Sequence, residues 1–578
     1  MKSDLFRRKG LEKILAVTND ENHSLKRSLG ALHVTLLGMG AIIGAGIFAT
    51  IGTAAAGDAA RPGAGPSLML SFVITGIVAA LTAVCYAELA SLVPIAGSAY
   101  TYSYATLGEL VAWVIGWDLI IEYAVGNVAV AISWANYFRT LLEVAFGIQV
   151  PAWLATDART AAHIPGLLES APHVLGIPIV FNLLAFLIVA VITMVLVWGI
   201  RESARFNAGM VVIKIVVLLF FIGVALYFVP SDKIVQNWQP FQPRGWGGTL
   251  AGAAVVFFAY IGFDAVSTVA EETRNPSRDL PIGIIASLTI CTLLYVVVAA
   301  VFTGMMPFPE LVQRLATEQA EPLTMALDHV APQATWASGI VAFGSVIAHT
   351  AVLLVFQLGQ PRIFFSMARD GLLPPSFARV HPRFKTPHVT TILTGLVVGT
   401  VAAFASIDEM VDLTNIGTLF AFVLVCLGIP ILRHTDPDRK RPFRVPFGPY
   451  LIPVAGVISC LFLMVYLPPA SWWRFIGWLI LGLAVYCAFG YTHSHLGREA
   501  GRVQQAPIGL KVAAVALLLT SLGLFAMPHG LGWLELLGAM GRGEPRAVLG
   551  IGLAFGGAMV ASLALWRLSV PQTAPVLD

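Results

Sequence analysis

Lys214 stands in Gly209-Met210-Val211-Val212-Ile213-Lys214-Ile215-Val216-Val217-Leu218, with no other charge nearby. Glu122 stands in Gly116-Trp117-Asp118-Leu119-Ile120-Ile121-Glu122-Tyr123, one helical turn after Asp118. Asp264 follows Phe257-Phe258-Ala259-Tyr260-Ile261-Gly262-Phe263, and His349 lies in another apolar run. An ionisable group inside an apolar span is expensive and marks a functional position by default. The lysine has two readings: it snorkels to the nearer end of its span, or it lies buried against backbone carbonyls and exchanges a proton, coupling the movement of another solute to protons. Glu122 is either a structural acceptor or a site wall that favours amino groups. Asp264 ties loose backbone amides or takes part in proton transfer. His349 reads first as a packing residue.

The other chemistry-bearing feature is backbone: Gly38-Met39-Gly40-Ala41-Ile42-Ile43-Gly44-Ala45-Gly46-Ile47-Phe48. Glycines four apart let two helices approach closely. Alternatively, Gly44-Ala45-Gly46 is unwound, and its amides open the following half-helix, where partial positive charge attracts a carboxylate.

Such residues need elements that cross a bilayer. Of 578 residues, 57% are hydrophobic and 12% charged, about half the charge of an ordinary soluble domain. The apolar residues fall in blocks of about 20, the length of a helix across a hydrocarbon core. The expectation is an all-α multi-pass protein with fourteen spans, near 32–57, 67–93, 109–137, 178–199, 208–229, 250–269, 281–303, 336–359, 388–405, 412–432, 448–468, 473–491, 508–526 and 547–566. With residues 1–31 a cytosolic tail, 24 of the 35 lysines and arginines fall on the inner side and 9 on the outer, counting Arg474 at the outer end of the twelfth span. That bias fixes the orientation and places 567–578 inside as well. The five cysteines all fall in apolar blocks without CxxC spacing and read as packing residues.

Spans 1 and 6 are both interrupted, at Gly44–Gly46 and at Phe258–Gly262. They open two successive five-span units, 32–229 and 250–432. An odd number of spans per unit makes the units inverted repeats. Matching broken helices in two halves point to a transporter's central site. Residues 448–566 hold four accessory spans. No GxxxxGK[ST], HExxH, metal-ligand cluster or nucleophile triad occurs. The chain is therefore expected to be no enzyme, to need no cofactor or metal, and to bind no nucleic acid. A membrane receptor that binds its ligand without moving it is the rival from another class.

In this order, the motifs resemble the amino acid–polyamine–organocation superfamily, most closely its bacterial cationic amino acid transporter branch. The matching residues are Gly40 to Phe48, Pro94-Ile95-Ala96-Gly97-Ser98-Ala99-Tyr100-Thr101-Tyr102, Gly116-Trp117 to Glu122-Tyr123, Lys214, Tyr260 to Val266, Glu272-Thr273-Arg274-Asn275-Pro276, Leu280-Pro281-Ile282-Gly283-Ile284 and Arg369-Asp370-Gly371-Leu372-Leu373-Pro374. The resemblance implies alternating access and proton-coupled symport of an amino acid across the plasma (inner) membrane. Exchange or sodium coupling are the alternatives within transport. It puts the substrate carboxylate on the amides of Gly44, Ala45 and Gly46. The ammonium meets carbonyls around Ile42 and Ile43 and around Phe258, Ala259 and Ile261. Phe258 becomes a thin gate, Glu122 and Gln357 line the side-chain pocket, and Lys214, with Asp264, carries the proton. Ala45 stands where some relatives have a hydroxyl residue, and Gln357 changes the pocket's polarity, so the side-chain preference, cationic or neutral, stays open.

Overall fold

The computed structural model describes residues 6–10, 29–58, 61–93, 98–162, 164, 166–199, 204–317, 321–499, 507–526 and 544–569. Most of the expected N-terminal tail, the C-terminal tail from 570, and Pro94 to Gly97 of the second motif lie outside these residues.

Helices carry the fold. The first span is three pieces, α1 (Ala31–Ile42), α2 (Ala45–Phe48) and α3 (Thr50–Ala56). After it come α4 (Leu68–Leu92), α5 (Ser98–Thr106), and α6 (Glu109–Ile120), which runs through a π turn at Ile121–Val125 into α7 (Gly126–Phe146). Next are α8 (Leu183–Trp198), α9 (Ala204–Phe228) and α10 (Gly245–Val256), the last continued by 3-10 turns at Phe257–Tyr260 and Asp264–Glu272. Then follow α11 (Pro276–Gly304), α12 (Thr335–Arg369), α13 (His388–Phe404), α14 (Ile407–Thr435), α15 (Leu451–Val465), α16 (Pro469–Val485), α17 (Ile508–Ala526) and α18 (Pro545–Ser569). Among the described residues, ten helical segments are long and apolar enough to cross a membrane, and α1, α8, α13 and α15 are shorter apolar helices. The chain is a multi-pass helical membrane protein.

Two boundaries differ most from expectation. The third span runs to Phe146 rather than 137, because its polar last turns stay helical until Gly147 adopts φ +66° and caps them. The eighth continues through Pro361 to Arg369 and stops ahead of Gly371, at φ +81°.

The packing pairs units one and two in a regular way. α1 packs on α11, and α10 packs on α4. α9 packs on α1 and α12, while α14 packs on α10 and on α6 and α7. α4 also packs on α11, α7 on α12, and α8 on α13. α17 and α18 pack on each other and, through α17, on α16.

At the end of the bundle where α1 begins, the chain is cross-tied. Lys9 Nζ lies 2.7 Å from Asp370, which also accepts from Tyr100 Oη at 2.8 Å. Leu29 bonds the backbone of Glu272 and Arg274. Glu88 of α4 is fully buried and accepts from Arg433 at 3.0 and 2.5 Å and from the Val445 amide at 2.7 Å. Breaking such a pair strands a buried charge, which costs about 3–5 kcal/mol. Glu88→Ala is therefore expected to lower thermal stability strongly, measured by scanning fluorimetry of the detergent-purified protein. An unchanged melting temperature would contradict this.

Candidate functional site

α1 ends at Ile42 because Ile43 turns extended, at ψ 100°, and Gly44 follows at φ −160°, ψ −145°. The side-chain-free positions let the break sit against its neighbours. A Cβ on Gly44 would come 2.8 Å from Val352 of α12. One on Gly46 would fall on the backbone of Ala259. The broken helix exposes carbonyls that need donors in a water-poor interior. Lys214 of α9, fully buried, supplies two: its Nζ donates to Gly40 O at 2.6 Å and Ile43 O at 2.9 Å. Tyr295 of α11 donates to Ile42 O at 3.0 Å, and Tyr137 of α7 to Phe48 O at 2.7 Å. The snorkelling reading of Lys214 does not apply.

The second break has the same construction. α10 stops at Val256, Ile261 turns extended, and Gly262 takes φ +120°, where an L side chain is strained. A Cβ there would also lie 2.8 Å from the Ala41 backbone. So each break touches the other, Gly46 against Ala259 and Gly262 against Ala41. The loosened carbonyls of Ala254 and Val255 accept from Asn415 Nδ2 of α14 at 2.8 and 3.2 Å, and Ala253 O accepts from Thr75 at 2.9 Å.

Beside this junction lies an acidic pair. Glu122 sits on the π turn, a feature frequent at functional sites. It is buried and faces Asp264 and Thr418. Tyr123 Oη is 3.4 Å from Asp264 Oδ2. One oxygen of each carboxyl, both oxygens of Asp118, and the hydroxyls of Tyr86, Tyr102, Ser267 and Thr418 are buried without a hydrogen-bond partner.

Residues 29–486 match the family model described as amino acid permease. The chain belongs to that family. This places it in the amino acid–polyamine–organocation superfamily that its motifs resemble. The permease is 45% identical over 498 residues to the branched-chain amino acid permease BcaP of Bacillus subtilis (strain 168), covering 86% of this chain and all of that one. It is 43% identical, over 496 residues with the same coverages, to the methylthioribose transporter of the same organism. It is 38% identical over 442 residues to the vacuolar cationic amino acid transporter 4 of Arabidopsis thaliana, covering 75% of this chain and 68% of that one. These relatives are permeases and transporters, not enzymes.

In the permease, Ile42, Ile43, Gly44, Ala45, Gly46, Phe258, Ala259 and Ile261 come together at the paired breaks, with Lys214 on one flank. Glu122 and Asp264 meet each other. Gln357 does not join them: its side chain accepts from Asn127 of α7 and donates to Thr193 of α8 at 3.1 Å. Helical phase explains this, since Val352 of α12 faces Gly44 and position 357 lies well over a quarter-turn round the helix. His349 is fully buried and satisfied. Its Nδ1 lies 2.6 Å from Ser345 O, so that nitrogen carries the proton and Nε2 accepts from Ser133 Oγ at 2.8 Å. Its ring packs on Phe48 and Tyr137. Tyr137, Tyr295 and Asn415 escaped the sequence reading, although each is a polar residue in an apolar span, the signal that singled out Lys214.

Proposed function

We propose that this permease is a secondary active transporter that imports a neutral, apolar amino acid with a proton. The observation that carries this is the Lys214 ammonium on the Gly40 and Ile43 carbonyls at the break of the first span. The Gly44 amide and the first amides of α2 lie at a helix N-terminus, where backbone N–H groups lack intrahelical acceptors and favour a carboxylate. The substrate ammonium goes to carbonyls of the second break, around Phe258 and Ile261. The Ile42 carbonyl already accepts from Tyr295. Val352 beside Gly44 favours an apolar side chain, and Glu122, turned to Asp264, leaves no charge for a cationic one. The similarity to a branched-chain amino acid permease agrees.

The proton acts through Lys214. While charged, it holds the end of α1 with two charge-assisted bonds, each worth about 1.5–3 kcal/mol. On losing its proton it loosens that grip and lets the half-helix move. A cation already satisfies the carbonyls a sodium ion would use, which speaks against sodium coupling. Glu122 and Asp264 cannot both be charged at such proximity in a dry interior, and they hold a proton between them.

The packing supports fourteen spans with two inverted five-span repeats. Shifting every span of units one and two by five turns each of the pairs named above into another of them or into itself, and Asn415 serves the second break as Lys214 serves the first. With both termini cytosolic, the Lys9–Asp370 end faces inward, in the cell membrane. The second substrate reading is a methylthio sugar, given the methylthioribose transporter's similar identity.

The test is uptake of labelled leucine into proteoliposomes under an imposed inward proton gradient, with and without sodium. Competitors are isoleucine, alanine, arginine, lysine and methylthioribose. Gradient-driven leucine accumulation, blocked by isoleucine and indifferent to sodium, is the expected result. Competition by methylthioribose alone moves the substrate to the sugar. Saturable binding without accumulation makes the protein a receptor.

A further inference from the structure

Beyond the paired breaks, at the end of the bundle opposite Lys9 and Asp370, a cavity of about 840 Å³ opens over the outer half of the first span. Its size is that of a small-molecule pocket. Thr50, Thr53, Arg61, Arg244, Glu321 and Asp408 line it. Arg61 is committed, lying 2.9 Å from Asp58 and 2.5 Å from Asp412. Asp408 accepts from Thr53 at 2.9 Å. Glu321 differs. It is 6% exposed, and its Oε1 accepts from Asn136 Nδ2 at 2.8 Å, yet Oε2 is buried with no hydrogen-bond partner. A buried carboxylate oxygen without a donor, on a side chain that lines a cavity, suits a cationic donor. Arg244, at the rim, makes no ion pair among the described residues. No group of three or more metal-type ligands occurs among the described residues either, so the chemistry suits an organic ammonium better than a divalent metal ion.

We propose that this vestibule is a second, outer amino acid site. It receives the substrate ammonium between Glu321 Oε2 and Asp408 and the carboxylate at Arg244, before the substrate descends to Gly44–Gly46. The proposal rests on the reading of the central site as an amino acid site. The groups facing Glu321 are Asn136, Tyr137 and Arg139 of α7 and Asp408 of α14, the last with Arg61 and Thr53 against it. Burial raises the Glu321 carboxyl to about 7, opposed by the Asn136 bond and Arg139 and reinforced by Asp408. The sign follows. Above that pH Glu321 is charged and holds an ammonium; below it the carboxyl is neutral and the outer site empties.

Equilibrium dialysis of labelled leucine and of labelled arginine against the full-length protein in detergent, carried to millimolar ligand, tests this. One or other ligand should bind at two molecules per chain at about pH 8 and one at about pH 5.5, either side of the Glu321 titration. Glu321→Gln should bind one at both values, with the remaining affinity unchanged, which also shows that the variant is folded. A wild-type isotherm of one molecule per chain at pH 8 overturns the outer site and leaves the central one standing. So does a second molecule retained by Glu321→Gln or at pH 5.5. Binding of neither amino acid overturns both sites together.

Discussion

Lys214→Ala should abolish accumulation of substrate under a proton gradient while leaving substrate-for-substrate exchange measurable. The alanine removes both donors from the carbonyls of Gly40 and Ile43, which are buried and have no water to replace them. Each lost charge-assisted bond is worth about 1.5–3 kcal/mol. The end of α1 then loses its proton-dependent tether, and a gradient has nothing to act on. Lys214→Arg separates tether from titration, because arginine keeps the charge and donors but does not release a proton. That variant should still bind substrate but lose both accumulation and exchange at every pH, because a permanent charge never releases the end of α1. Counterflow and gradient-driven uptake, measured on the same proteoliposomes, give both readouts. Wild-type accumulation by Lys214→Ala would remove the lysine from the coupling mechanism.

Gly46→Ala is expected to eliminate transport outright. The added methyl would fall on the main chain of Ala259, and a main chain cannot rotate away as a side chain can. Overpacking of this kind costs about 1–3 kcal/mol. Here the strain acts on the contact that holds the two breaks in register. A loss of 2.8 kcal/mol is about a hundredfold in binding. Gly209→Ala is the control, since nothing lies within 4 Å of its added Cβ. The readout is leucine counterflow at matched amounts of monodisperse protein. Near-wild-type counterflow by Gly46→Ala would show that the breaks do not need this close approach.

The two predictions concern residues with different visibility. Lys214 is legible from composition alone, because a lone ammonium in an apolar run must find partners or leave the bilayer. The glycines of the first span are ambiguous in sequence, since helix contact and helix interruption use the same residue. The structure has them do both: Gly44 lies in the interruption, and Gly46 makes the contact.

Other parts were decided by three-dimensional neighbours. Gln357 and Val352 share a helix, and the chain alone gives no reason to prefer either for the site; the helix phase relative to α1 turns one toward Gly44 and the other toward Asn127 and Thr193. Glu122 reads in the sequence as either a structural acceptor or a pocket wall, and only the fold sets Asp264, from a different span, opposite it. Glu321 lies in a segment between spans and carried no local signal, because its unpartnered oxygen exists only where Asn136, Arg139 and Asp408 converge from two other segments.

The sequence by itself determined the class of molecule. Long apolar blocks leave a chain no alternative to spanning helices, since backbone groups in lipid must be satisfied within the element. It also marked the places where that rule is broken, at Gly44–Gly46 and Phe258–Gly262. Only the tertiary structure decided how the broken rule is repaired. The donors for the freed carbonyls come from Lys214, Tyr295, Tyr137 and Asn415, between 89 and 253 residues away along the chain. No local pattern encodes a partner at that separation.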